Sequence, residues 1–521
     1  MPLFAMKTGL PSYLLHEQER IEALARDYGL DFFPVVFEML SYDQMNEVAA
    51  YAGFPNRYPH WRFGMEYEQL SRSYEYGLSK IYEMVINNTP AFAYLLEGNS
   101  LTDQKLVMCH VYAHVDFFKN NFAFRVTDLD SYGAIANPVE RRGADYTPDR
   151  KWVDKMANHG ATVRRLVDRH GINKVEDFID TCLSLENLID PWQRFLVRHR
   201  PAEDHEEPEE VEVPRLRAKD YMEDFINPQE YLEAQRSKLE AARKAERGRS
   251  LAEPERDVLL FLLEHARLER WERTILTIIR EEAYYYLPQM QTKIMNEGWA
   301  SYFHSKLMTE RVCDWSEIVD YADDNASVMS GGGGRLNPYK LGVELYRSIE
   351  DRWNKGQFGR DWENCDDLDV KRTWDLRLGL GRDKIFEVRA LYTDVTFIDE
   401  FLTLEFAERH GLFTYGWSDR NDRYEIASRE FSVVKEKLLS QLTNSGNPVV
   451  AAVDGNYNNR GELLLVHEHH GIDLRADYAQ DTLGALARVW RRPVLLATKQ
   501  EGHAVVLWHD GTQATVRDGS P

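Results

Sequence analysis

From about residue 10 to residue 200, apolar side chains return at intervals of three and four, the rhythm of helices that bury one face. "LHEQERIEALARDYGL" closes at Gly29, a helix stop. "FEMLSYDQMNEVAAYAGFP" predicts a second helix, ended by Gly53 and Pro55. "RYPHWRFGMEYEQLSRSYEYGLSKIYEMVINN" enters a third through a turn rich in proline, histidine and aromatics. "TDQKLVMCHVYAHVDFFKNN" is a fourth, with Thr102 as the expected N-cap. The rhythm lapses at 201–214, "PAEDHEEPEEVEVP", where seven acidic residues stand between prolines as a solvated linker. A polar helix with few core positions follows, "PQEYLEAQRSKLEAARKAERGR". Helical periodicity returns from about 255 to 310, then gives way to the glycine run 331–334 in a loop.

From about 380 the texture changes. "DKIFEVRALYTDVTFIDEFLT" mixes β-branched and helical signals. "NPVVAAVDGNYNNRGELLLVHEHH" predicts two strands across an Asn/Gly turn. "DTLGALARVWRRPVLLATKQEGHAVVLWHDGTQATVRD" reads as helix, strand, strand, strand. The fold class expected is mainly α with a smaller C-terminal α+β domain. Its segments are an N-terminal helical region (1–200), a linker and surface helix (201–254), a second helical region (255–375) and the α+β region (376–521).

Composition narrows the function. The chain has 521 residues, too many for one ordinary core, with 43% apolar and 29% charged residues. A net charge of −22 argues against general binding to nucleic acid or anionic membranes. No apolar run approaches the roughly 20 residues that span a bilayer, and the start lacks the basic and apolar regions of a secretion signal. Cys109, Cys182, Cys313 and Cys365 show no CxxC spacing, which suits a reducing compartment and a cytoplasmic protein. Neither a GxGxxG fingerprint nor a Walker A motif is present.

His110 and His114 stand four apart in "CHVYAHVDFF", stacked on one helix face where two imidazoles can share an ion. Zinc, iron and manganese all accept such a pair. The spacing suits equally two histidines packed in an aromatic core. The zincin motif HExxH has a glutamate at its second position as base, and here that position is Val111. In "TKIMNEGWASYFHSKLM", Glu297 is the candidate carboxylate ligand. His304 lies about 10 Å further along the axis at 1.5 Å per residue, so it is expected beside the ligands or against substrate. Gly298 costs a helix about 1 kcal/mol against alanine and predicts close approach of another helix, such as the one bearing His110. Pro288 is expected to end or kink the helix carrying Glu281 and Glu282, leaving Glu282 as a ligand or general base beside a pocket. Glu66 and Glu68 point to different faces, so at most one serves a site, and a capped helix start accounts for both. The tract "HEHHG" at 467–471 suits a solvated strand end better than a metal site.

Several long segments, read together, resemble the SpoVR family (stage V sporulation protein R): "GFPNRYPHWRFGMEYE", "NNTPAFAYLLEGNS", "HVYAHVDFFKNN", "REEAYYYLPQMQTKIMNEGWASYFH", "NPYKLGVELYRSIEDR" and "KIFEVRALYTDVTFIDEFLT". They run in order from about residue 53 to 403. The resemblance implies a cytoplasmic protein and a link to the spore cortex, a modified peptidoglycan, although many members occur outside spore formers. It implies as partners a PrkA-type serine protein kinase and a von Willebrand A-domain-like protein in a stress or starvation module. No settled activity comes with the family name. "NEGWASYFH" is also similar to the EGWA-type segment of gluzincin-like metallopeptidases, whose Glu is the third zinc ligand. On that likeness His110, His114 and Glu297 form the metal set of a gluzincin-like core. Glu282 or Glu66 is then the base, and His304 steadies substrate. Zinc is the expected metal, with iron or manganese as alternatives. The rival expectations are a non-catalytic adaptor of the kinase module and an iron-dependent redox site that Glu66 and Glu282 would join.

Overall fold

The computed structural model describes residues 10–75, 83–128, 149–193, 228–229, 231–236, 253–329, 336–418 and 423–519. Two units emerge, each assembled from separated stretches of chain: Met1–Ile172 with Tyr284–Gly446, and Asn173–Ala283 with Asn447–Pro521. The acidic linker 201–214 and the glycine run 331–334 lie outside the described residues, as does most of the polar helix. Its described part, 231–236, is helical and largely exposed. The described chain is mainly helical, with a smaller sheet-containing C-terminal region. No described helix is long and apolar enough to cross a membrane.

The first unit begins with α1 (Ser12–Asp27), β1 (Val35–Leu40), α2 (Tyr42–Ala50) and α3 (Trp61–Glu75). Strands β2 (Met84–Ile86) and β3 (Ala91–Leu96) follow. β1 pairs in parallel with β3, from Val35 opposite Ala91 to Leu40 opposite Leu96, and β2 closes antiparallel on the other side of β3. This three-stranded sheet departs from the all-helical expectation. "VVFEML" follows Pro34 and opens on two β-branched residues, which favour a strand, yet its apolar positions blend into the rhythm of the next helix.

α4 (Leu101–Asn120) is the central helix of this unit, and every residue from Val107 to Phe118 is buried. A helix buried all round belongs in a core. Its N-cap is Ser100, not Thr102: the Ser100 side chain accepts from Asp103 N–H while Asp103 accepts from Ser100 N–H, a reciprocal capping box. α5 (Trp152–His170) follows in the chain. α6 (Lys293–Leu307) is a second core helix, buried from Ile294 to His304. α7 (Ile318–Met329), α8 (Pro338–Lys355), α9 (Gly381–Leu391) and α10 (Asp394–Phe401) complete the surroundings.

Gly298 does allow close approach, but to α8 rather than to α4. A Cβ on Gly298 would sit 2.4 Å from the Gly342 backbone, and one on Gly342 would sit 2.1 Å from the Ile294 carbonyl. α4 meets α6 through side chains instead, the neighbouring indole among them. Trp299 Nε1 donates to Asp116 Oδ2 at 2.8 Å. The other Asp116 oxygen accepts from Arg389 at 2.5 Å and from Asp31 N–H at 2.7 Å. Asp394 accepts the N–H groups of Ile294 and Met295, at 2.8 and 2.9 Å, which α6 itself cannot satisfy in its first turn. Burial pushes the Asp394 carboxyl up to about 7.

In the second unit, the helices include Val258–His265 and Ala476–Trp490. The expected hairpin is present as Val450–Tyr457 antiparallel to Glu462–His467. The expected helix, strand, strand, strand order is present too: Ala476–Trp490 crosses over to Val494–Gln500, followed by His503–His509 and Ala514–Asp518. The helix Arg270–Gln291, whose residues from Tyr284 onward belong to the first unit, runs through Pro288 instead of ending there. Tyr284, Tyr285 and Leu287 are buried around the proline, and packing overrides the local penalty. In the first unit, the mixed stretch near 380–401 resolves into two helices, α9 and α10.

Candidate metal centre

α4 carries His110 and His114 one turn apart, with ring centroids 4.5 Å from each other. α6 brings Glu297 against both: Glu297 Oε2 lies 3.6 Å from His110 Nε2 and 3.5 Å from His114 Nε2. A fourth group joins them. Glu83, the residue just before β2, places its carboxylate 3.1 Å from His110 Nε2 and 3.7 Å from His114 Nε2. The four donor atoms all lie within 4.8 Å of one another. Metal bonds of about 2.0–2.2 Å in a tetrahedron set donors roughly 3.3–3.6 Å apart, close to these separations.

The unliganded atoms test whether an ion suits the site. His110 Nε2 and Glu297 Oε2 are buried and make no hydrogen bond. Buried polar atoms normally find a partner; Glu83 stands 3.1 Å from His110 Nε2, and an ion between the four donors would satisfy that nitrogen and Glu297 Oε2 together. Two imidazoles and two carboxylates are a donor set for a divalent ion. Both rings are oriented from behind as ligating histidines are. His114 Nδ1 meets Asn296 Oδ1 at 2.9 Å, and His110 Nδ1 meets His304 Nδ1 at 2.7 Å. Lys293 occupies the other Glu297 oxygen at 2.6 Å, leaving Oε2 for the cluster. Only Glu83 keeps appreciable access, with about 20% of its side chain exposed against 3–7% for the other three.

Charge follows the same geometry. Burial disfavours charge on His110, but Glu83 and Glu297 overcome it and raise the imidazole to about 9. Burial opposes ionisation of Glu83 and Glu297 as well, and the facing histidines nonetheless hold both carboxyls below the usual range. His304 goes the other way. Burial, then the neighbouring His110, lower it to about 3, so it stays neutral. The Tyr339 phenol, on α8, is held protonated by burial and by the charges of Glu297 and Glu83.

The structure thus brings together His110, His114 and Glu297, with His304 directly behind His110. Glu66 is placed in an ion pair with Arg62 at 3.0 Å, one turn away on α3, and is not among the four clustered donors. Glu282 is buried and is not among the four clustered donors. Glu83 was missed by sequence reasoning. It stands alone in "SKIYEMVINN", with no spacing relation to any other ligand. Only the pairing of β2 with β3, the strand that leads into α4, gives it meaning. Asn296 was legible in principle, as the polar neighbour of Glu297 on a buried helix.

A family model described as "SpoVR like protein" matches residues 11–447. The chain belongs to the SpoVR family. That span includes all four clustered residues and both halves of the first unit beyond residue 10. The SpoVR-family chain is also 27% identical over 528 residues to an Escherichia coli (strain K12) protein named "Uncharacterized protein YcgB", covering 94% of this chain and 92% of YcgB. No solved structure matches the chain.

Proposed function

We propose that this SpoVR-family protein is a metal-dependent hydrolase of amide bonds in peptide or peptidoglycan-related material, with a gluzincin-like ligand set. The observation that carries the reading is the pair of buried atoms without hydrogen bonds, His110 Nε2 and Glu297 Oε2, inside a cluster of four donors within 4.8 Å of one another. His110, His114 and Glu297 hold the ion, zinc first. A bound divalent ion supplies Lewis acidity and an acidified water. Glu83 is the accessible carboxylate at the cluster and receives the proton, the role for which HExxH has its second-position glutamate. Lys293 neutralises the outer oxygen of Glu297, and the Tyr339 phenol, held protonated, faces the same carboxylate. The amide substrate rests on the resemblance to EGWA-type peptidases and on the cortex association of the family.

Metal analysis of protein purified without chelator tests this. One zinc per chain is expected, lost in His110→Ala and Glu297→Gln. Glu83→Gln is expected to keep zinc and lose amide hydrolysis. Folded protein that takes up no divalent metal overturns the reading.

A second reading is favoured by Glu83 itself. Two carboxylates with two imidazoles make an oxygen-rich set that iron or manganese also accepts. An iron-dependent redox centre then uses Glu83 as a ligand, and Glu83→Gln loses metal along with activity. The kinase and von Willebrand A-like partners belong to the proposal through family resemblance, and co-purification with the tagged chain checks them.

A further inference from the structure

The contact behind His110 fixes more than the plane of its ring. His110 Nδ1 and His304 Nδ1 face each other at 2.7 Å. Two ring nitrogens that close share one proton, since two protons would collide and two lone pairs would repel. Where that proton sits decides what His110 offers on its other side. For His110 to ligate through Nε2, its proton must stand on Nδ1, and His304 must accept through a bare Nδ1. His304 then carries its own proton on Nε2. That nitrogen lies 3.3 Å from Asn325 Oδ1, an acceptor.

Asn325 belongs to α7, and the rest of α7 is placed to keep it there. Tyr321, the buried residue of this helix, sets its ring edge-on to His304 with centroids 6.2 Å apart. Residues four apart share a helix face, so Tyr321 and Asn325 grip the same imidazole. Just ahead of α7, Glu317 accepts from Lys105 of α4 at 2.9 and 3.1 Å. The Lys105 side chain is only 4% exposed, so this anchor to α4 is shielded from solvent. Apart from Tyr321, every residue of α7 is partly or fully exposed. A surface helix thus reaches the metal centre through one side-chain oxygen.

We propose that Asn325 is a positioning residue for the metal centre and couples the seating of α7 to the ion. Its oxygen holds the His304 proton on Nε2, His304 holds the His110 proton on Nδ1, and the arrangement is set before any ion binds. This rests on the metal reading above. Linkage makes the effect reciprocal: an ion on His110 Nε2 fixes the same protons, strengthens the bond to Asn325 and tightens α7 against α6.

Leucine at 325 removes the acceptor at similar size, and aspartate keeps it. In chelator competition on the full chain, Asn325→Leu should weaken zinc about fivefold, while Asn325→Asp binds at least as tightly as the parent. Hydrogen exchange of the α7 amides should slow about fivefold on adding zinc to the parent and to Asn325→Asp, and stay unchanged in Asn325→Leu. Nitrogen-15 spectra of the metal-free, histidine-labelled chain, with His304 assigned through His304→Gln, should show a proton on Nε2 and a bare Nδ1. Unchanged zinc affinity in Asn325→Leu overturns the positioning role. Equal loss in both variants overturns it too, because packing would then be the cause. A His304 proton on Nδ1 overturns the chain of hydrogen bonds, and α7 exchange indifferent to zinc overturns the coupling. A chain that carries the His304 proton on Nε2 but takes up no zinc sustains the hydrogen-bonded chain and overturns the metal reading instead.

Discussion

Two parts of the chain look alike on paper and differ in space: "HVYAH" on α4 and "HEHH" at the end of the strand Glu462–His467. Both set histidines close together near acidic residues. In the second unit each ring finds an ordinary partner. His467 Nδ1 meets Thr498 Oγ1 at 2.8 Å, and His469 Nε2 meets Asp473 Oδ1 at 2.7 Å. His470 is exposed near Glu468. On α4 the rings turn inward onto buried Glu297 and the part-exposed Glu83, and two polar atoms stay without hydrogen bonds. The difference teaches that histidine spacing is a weak sign of a metal site. What separates the two is whether the acceptors are buried and whether the ring nitrogens are already satisfied.

The strongest way to break this contrast is to remove what holds the buried region in place. Asp116→Ala strips Arg389 and Trp299 of a buried partner and should cost about 3–5 kcal/mol, read from urea unfolding midpoints. A comparable cut at the solvated tract, Asp473→Ala, should move the midpoint by less than about 0.5 kcal/mol. Next comes the metal itself. Glu297→Gln should lower zinc affinity by more than about a hundredfold, beyond what outer partners contribute. His467→Ala and His469→Ala together should leave zinc stoichiometry unchanged by elemental analysis, and a loss there would erase the distinction. Asn296→Ala leaves the donor atoms intact and removes only the orienting bond to His114. A decrease of about tenfold is expected in chelator competition.

The gentlest probe is pH. Asp394, raised by burial to about 7 from an ordinary 3.8, holds a proton in the folded state that the unfolded chain has released. Its contribution is present below about 4 and is lost as pH rises toward 7. Burial lowers His467, so its contribution runs oppositely, present above the ordinary 6.5 and lost as pH falls below it. Hydrogen exchange of the α6 amides should therefore accelerate from pH 5 to pH 7.5, after correction for intrinsic rates. The strand Glu462–His467 should show the reverse, and a common trend in both would contradict these assignments.

The helices were legible because a buried face repeats every three or four residues, and the C-terminal strands because Asn458 and Asn459 sit at a turn between β-branched and leucine runs. The strand β1 was not, since its six residues carry no alternation that its neighbours lack. Three of the four clustered residues were legible for a local reason: His110 and His114 share a turn, and Glu297 sits in an unusual motif. Glu83 and the Asn325 partner of His304 were not. Their meaning arises from pairing across dozens or hundreds of residues, which no local pattern encodes.

The crossing of Gly298 with Gly342 has a mechanical meaning. Where helices meet through side chains, a rotamer change can absorb a small displacement. Here main chain rests on main chain, and nothing compliant lies between. Glu297, one residue from the crossing on α6, and Tyr339, one turn from it on α8, therefore share a single stiff frame. A displacement of α8 is therefore expected to carry Glu297 with it, with no side chain at the crossing to absorb the shift.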